Sequence, residues 1–297
     1  MSSLDSMLIG GDTMEGNKIH WLLGEYSKED LAKMDPVALG ALLRERTHHT
    51  IEVPLYPTLL KASGRKIEGF GREAQVVFDV WRERGFSEDD PDIRWVKKYL
   101  AIAEEIRTKG KVKLTEALPT PFSDDEMAVV NKLIFERRSV RDWIDREVPD
   151  DMIEKILEAG RAAPCSCNLN QVRFIVIKDR EEAKMVWSDI STNNAVIIVI
   201  CYDKRVSAVV GHDQVIPQNA GFDCAAAADH MLLMAHALGL GGVWLTCLEA
   251  TAKEFSQKYG LPEYIQVALH IAIGWTAIGS VKSSRMALEG MIIRRKR

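Results

Sequence analysis

Residues 135–143 read FERRSVRDW and set Arg137, Arg138 and Arg141 around the hydroxyl of Ser139. Guanidinium groups are planar forks suited to bidentate contact with phosphate or carboxylate, and a serine hydroxyl adds another donor. A solvated helix face would read the same way, so the cluster needs company before it means chemistry. APCSCNLNQVRFIVI (163–177) reads as a helix-to-strand turn of small and amide residues. There Pro164, Cys165, Ser166, Asn168 and Asn170 let backbone and amide groups approach a planar, hydrogen-bonding ligand. GWTAIGSVKSSR (274–285) follows the last apolar run and adds two cations, Lys282 and Arg285.

Other catalytic signatures fail. A phosphate-binding loop needs a lysine where GDTMEGNK (11–18) has Asn17, and GLGGVW (239–244) follows a helical run and ends on Trp244 rather than glycine. No GxSxG elbow is present. His230 and His236 are six residues apart and share no helix face as zinc ligands would, so they read as buried or interface histidines. The five cysteines include no CxxC pair, which leaves a zinc ribbon or iron–sulfur cluster without ligands, and no metal site is expected. Cys165 and Cys167 read as small residues filling serine- or alanine-like positions, with a redox or halide-sensing role as the alternative. A cofactor that carries the reactive atoms would make a protein nucleophile unnecessary.

The elements that must hold these groups follow from patterning. In PDIRWVKKYLAIAEEIRTKG, Ile93, Val96, Leu100 and Ala103 recur at helical spacing and Gly110 supplies a stop. Pro119 and Pro121 mark a linker, after which Ser123-Asp-Asp-Glu126 forms a capping box that starts a helix running into the arginines. VPDDMIEKILEAGRAAP (148–164) is amphipathic, with Ile153, Ile156 and Leu157 on one face. Buried strands are expected at 172–179, 194–203 and 265–275, and a long apolar helix at 220–242. The result is an α/β or α+β architecture with a sheet between helical layers.

The totals fit: 297 residues, 46% hydrophobic, 28% charged and a net charge of −4, without the excess of positive charge that nucleic acid or an anionic membrane would attract. The basic end Arg294–Arg297 reads as a solvated tail, and the longest apolar run, AVIIVIC, is too short to cross a bilayer. The start carries no secretory pattern, so cytoplasmic free thiols are expected.

The order RRSVR, VPDDMIEKILEAGRAAP, a small-residue turn with Asn168, FIVI, GLGGVWL and IGW…K…R resembles the FMN-dependent nitroreductase family over about residues 125–290. The resemblance implies an α+β three-layer sandwich around a mainly antiparallel sheet, dimerising with one FMN in each of two interface clefts. It implies that Arg137, Arg138, Ser139 and Arg141 hold the phosphate and ribityl chain, with Lys282 and Arg285 as further phosphate partners. Asn168 would bond the flavin ring. Thr246 and Cys247, after Trp244 and Leu245, would bring backbone near flavin N5 and O4. The long helix would be the dimerisation helix. Residues 1–122 would form a helical extension, a lid or dimer arm, beside an FMN domain at 123–297. The implied activity is ping-pong hydride transfer from NADH or NADPH to a nitroaromatic, quinone or other electron-poor acceptor. Reductive dehalogenation, azoline oxidation, flavin fragmentation and a non-catalytic flavin- or partner-binding role are the alternatives. The departure is Asn170-Gln171-Val172, where many members carry Gln-Pro-Trp.

Overall fold

A computed structural model describes residues 18–20, 25–61, 66–114, 117–186 and 194–293. The segment before residue 18 and the basic end at 294–297, both read in the sequence, lie outside the described residues.

A short hairpin, β1 (Lys18–His20) and β2 (Glu25–Ser27), leads into a run of helices. These are α1 (Lys28–Lys33), α2 (Pro36–Thr47), a π-helical turn at His48–Glu52, α3 (Val53–Lys61), α4 (Arg72–Glu83) and α5 (Pro91–Lys109). On α5 the spaced apolar residues Ile93, Val96, Leu100 and Ala103 are all buried, and Gly110 ends the helix in the left-handed conformation at φ 68°. The core of this helical part does not stop at its own residues: Leu169, Val206, Val209 and Val210 from the second half join it.

Helix α6 (Asp124–Glu136) opens on the expected capping box, with the Ser123 side chain accepting from Glu126 N–H and the Glu126 carboxylate accepting in return. Helix α7 (Asp150–Arg161) ends shortly before a 3-10 turn at Ser166–Asn168. There follow β3 (Val172–Ile177), α8 (Arg180–Val186), β4 (Val196–Asp203), α9 (Lys204–Ala208), α10 (His212–Val215) and α11 (Asn219–Ala237). The chain closes with β5 (Gly241–Leu245), α12 (Glu249–Lys258), β6 (Ile265–Gly274) and α13 (Leu288–Met291).

The main sheet has the order β3-β4-β6-β5, with every neighbouring pair antiparallel. Strand β4 explains why a sheet must sit between two layers. Its alternate residues Val196, Ile198 and Ile200 enter one core with Ile153, Ile156, Met231 and Ile271. Ile197, Val199 and Cys201 enter the other with Val140, Trp143 and Ala272. Helices α7 and α11 cover the first face and meet closely at Gly160, where a β-carbon would lie 2.5 Å from the Met231 methyl. The expected helix at 220–242 ends at Ala237. Gly241 and Gly242 instead pair with Gly274 and Ile273 as the start of β5, because ladder bonds to β6 outweigh continuation of an apolar helical run.

Candidate active site

The arginine segment is fastened to the free edge of β5. Ser139 forms a parallel bridge with Gly242, Val140 N–H donates to the Gly242 carbonyl at 3.1 Å, and Trp143 Nε1–H donates to the Gly241 carbonyl at 3.0 Å. Glycine at 241 is a steric requirement, since a β-carbon there would sit 2.7–2.8 Å from the branched side chain of Val140. Helix α6 ends at Glu136, so Arg137 and Arg138 lie on an extended stretch rather than on a helix face.

Both arginines line a cleft of about 800 Å³ with α6, the C-terminal end of α11, Gly241 and Gly242, and the segment Thr276–Ser280. Its size suits a cofactor or small substrate. Arg138 donates to the carbonyls of Phe135 at 2.9 Å and Arg137 at 2.8 Å, and among the described residues neither guanidinium pairs with a carboxylate. Two half-buried guanidiniums on one cleft favour a bound anion. Arg141 is exposed and does not line the cleft, and neither do Lys282 and Arg285, which lie on the exposed stretch after Ser280. Trp244 is 40% exposed on β5, Leu245 is buried, and Thr246 and Cys247 follow the strand end.

The small-residue turn lies elsewhere. Asp223, on the first turns of α11, accepts from Ser166 N–H at 3.0 Å and from Gln171 Nε2 at 2.7 Å. Burial pushes this carboxyl above the usual range. Gln171 therefore ties the turn to α11. Cys167, Asn168 and Asn170 all have positive φ, at 49°, 53° and 55°, which asparagine accepts far better than cysteine does. Asp223 and His236 are thirteen residues apart on α11, so the turn and the arginine cleft stand about 20 Å apart along the helix. One chain does not bring its Asn168 to its own Arg138.

The turn instead meets the helical part. Cys167 Sγ is 3.9 Å from His49 Nε2, and His48, His49 and Cys167 place their ligating atoms within 4.8 Å of one another. No signal in the sequence joins these residues, because the contact spans 118 positions. The cleft residues Gly241, Gly242, Thr276 and Ser280 were also missed, although the glycine pair was visible within the rejected GLGGVW.

The fold is an α+β sheet flanked by helices, with two arginines that meet no carboxylate among the described residues beside the edge strand that carries Gly241 and Gly242. Comparison with known proteins gives the family. The nitroreductase family model matches residues 134–208 and 184–275. An Archaeoglobus fulgidus protein, provisionally named NADH dehydrogenase/NAD(P)H nitroreductase, is 35% identical over 151 residues, covering 48% of this chain and 83% of that protein. The Bacillus subtilis NAD(P)H FMN reductase is 26% identical over 184 residues, covering 56% of this chain and 73% of its own. A Desulfovibrio desulfuricans structure, provisionally described as a nitroreductase in complex with FMN, aligns with a TM-score of 0.50 and 31% identity over 57% of this chain and 97% of that one. The chain belongs to the nitroreductase family. The family match begins at residue 134, so the helical first part lies outside it.

Proposed function

We propose that the protein is an FMN-dependent oxidoreductase that takes hydride from NADH or NADPH and delivers it to an electron-poor acceptor such as a nitroaromatic or quinone. The observation that carries this reading is the pair of guanidiniums, Arg137 and Arg138, without an ion-pair partner among the described residues, on a cleft of about 800 Å³ also lined by Glu136, Gly241 and Gly242. The donor set fits FMN: planar forks for its phosphate and the hydroxyls of Thr276 and Ser280 on the same cleft, with Ser139 beside it on the arginine segment. When bound, FMN supplies the hydride-accepting and hydride-donating centre. Arg137 and Arg138 hold the phosphate. Their charge also favours negative charge as it develops nearby. Lys282 and Arg285 complete the phosphate site by moving in from their exposed segment.

The site is shared between two copies. A homodimer with antiparallel α11 helices would carry the partner turn Pro164–Asn170 about 20 Å along the axis, onto this chain's arginine cleft. That turn brings Asn168 and Asn170 to the flavin ring. The apolar surface agrees: α6 has no buried residue and exposes Val129, Ile134 and Phe135, α11 exposes Phe222, and the last segment exposes Val281, Met286, Leu288 and Met291. So much uncovered apolar surface marks an association face. Residues 1–122 would be an extension, lid or dimer arm, beside the FMN unit at 123–297, and the described helices of that extension share a core with Leu169, Val206, Val209 and Val210. Among the described residues no helix is long and apolar enough to cross a membrane, and five unpaired thiols suit a reducing cytoplasm.

Anaerobic absorption spectra before and after NADH and NADPH test the activity. Prompt bleaching of a flavin band is expected; a band that persists with both donors rejects the donor assignment. Arg138→Ala removes a charge-assisted phosphate contact worth about 1.5–3 kcal/mol and should weaken FMN binding about 10- to 150-fold. Unchanged retention would remove Arg138 from the phosphate site.

A further inference from the structure

We propose that His48, His49 and Cys167 form a binding site for a divalent transition metal of the zinc class. Its ligands tie the helical first part of the chain to the turn Pro164–Asn170.

The spacing fits such an ion. The ligating atoms of His48, His49 and Cys167 lie within 4.8 Å of one another, and Cys167 Sγ is 3.9 Å from His49 Nε2. Zinc bond lengths and a tetrahedral angle put sulfur and nitrogen about 3.6 Å apart, so small side-chain movements close the site. Two imidazoles and a thiolate are borderline-soft donors, the set that selects zinc or cobalt over magnesium or calcium.

The outer contacts orient the rings independently of that proximity. His48 Nδ1 bonds Glu52 at 2.7 Å and His49 Nδ1 bonds Glu45 at 2.6 Å. A carboxylate acceptor fixes the proton on Nδ1 and leaves Nε2 as the lone-pair atom, the carboxylate–histidine–metal arrangement. Glu45 is fully buried and gripped by Arg46 Nε and Nη2, both at 2.7 Å. Sequence neighbours on an α-helix diverge by about 100° and do not share a target. Here they sit where the chain widens into a π-helical turn, with Val53 N–H donating to the His48 carbonyl, a local feature common at functional sites. Cys167, at φ 49°, adopts a backbone conformation rare for a residue with a β-carbon. His212 opens α10, is 9% exposed and has an Nδ1 with no hydrogen-bond partner. Two histidines and one cysteine supply three protein ligands, and a water molecule would fill the fourth tetrahedral position.

The test uses untagged full-length protein. Metal analysis by mass spectrometry after gel filtration should find one zinc per chain, and cobalt loading should give a thiolate-to-cobalt charge-transfer band. Cys167→Ser should lose the band and the stoichiometric zinc while keeping the wild-type circular dichroism. Glu52→Gln, which alters only an outer, part-exposed carboxylate, should weaken zinc binding roughly 10- to 100-fold. Wild-type protein that holds no more zinc or cobalt than Cys167→Ser would overturn the proposal. Full-affinity binding by both variants would overturn it too.

Discussion

Arg44→Met tests how firmly the helical part holds the turn. Arg44 is buried on α2 and reaches in two directions. Its Nη1 pairs with Asp92 at 2.7 Å, and its Nη2 donates to the carbonyl of Leu169 at 2.9 Å, across 125 positions of sequence. Methionine preserves much of the stem's packing and deletes both bonds. Charge-assisted hydrogen bonds contribute about 1.5–3 kcal/mol each, and a buried carbonyl left unpaired costs about 1–3 kcal/mol. Two features reduce the sum. The Asp92 side chain is 30% exposed, so water recovers part of its loss. Arg44 Nε has no hydrogen-bond partner, and removing the guanidinium ends that desolvation penalty. The expected net loss is about 2–4 kcal/mol, read from urea unfolding of the full chain by tryptophan fluorescence. Hydrogen exchange should accelerate over residues 165–170, where the Leu169 carbonyl anchors the turn. A double-mutant cycle with Asp92→Asn should give a coupling of about 0.5–3 kcal/mol. A loss below about 0.5 kcal/mol with unchanged exchange would refute the claim that this guanidinium fastens the turn.

Gly241→Ala drives a methyl into Val140, whose branched side chain cannot swing away. A cost of about 1–3 kcal/mol is expected, with weaker FMN retention because Val140 lies in the arginine segment; retention equal to wild type would separate that strand edge from the site. His270, 1% exposed on β6, has its imidazole pushed down to about 4 by burial. The unfolded chain takes up a proton below about pH 6.5 while the folded chain resists it, so stability falls as pH drops from about 6.5 to about 4, by about 3 kcal/mol in total. That slope should disappear in His270→Gln, measured by urea midpoints across the range; an unchanged slope would assign it to other groups.

Local chemistry wrote several elements directly. Ser123 and Glu126 start α6 because their side chains satisfy orphan N–H groups within one turn, a decision that needs no distant residue. The apolar spacing of α5 and the unbroken run of β4 likewise announced what must be buried. The arginine cluster was legible as a possible anion site, and the order of motifs gave the family. The fate of Gly241 and Gly242 was not legible, because an apolar stretch after a helix fits either continuation and only pairing with Gly274 and Ile273 decides for a strand. Nor could spacing reveal that α11 holds Asn168 away from Arg138, since that follows from the length of a rigid helix standing between two anchoring contacts. Least legible was the meeting of His48 and His49 with Cys167, residues that read as unremarkable one by one. The sequence by itself determined the start of α6, the buried face of α5 and the buried strand β4, because those rest on neighbours within a few residues. Tertiary structure alone decided which of these groups share a site, because convergence depends on how whole helices and strands pack, and that information is spread over the entire chain.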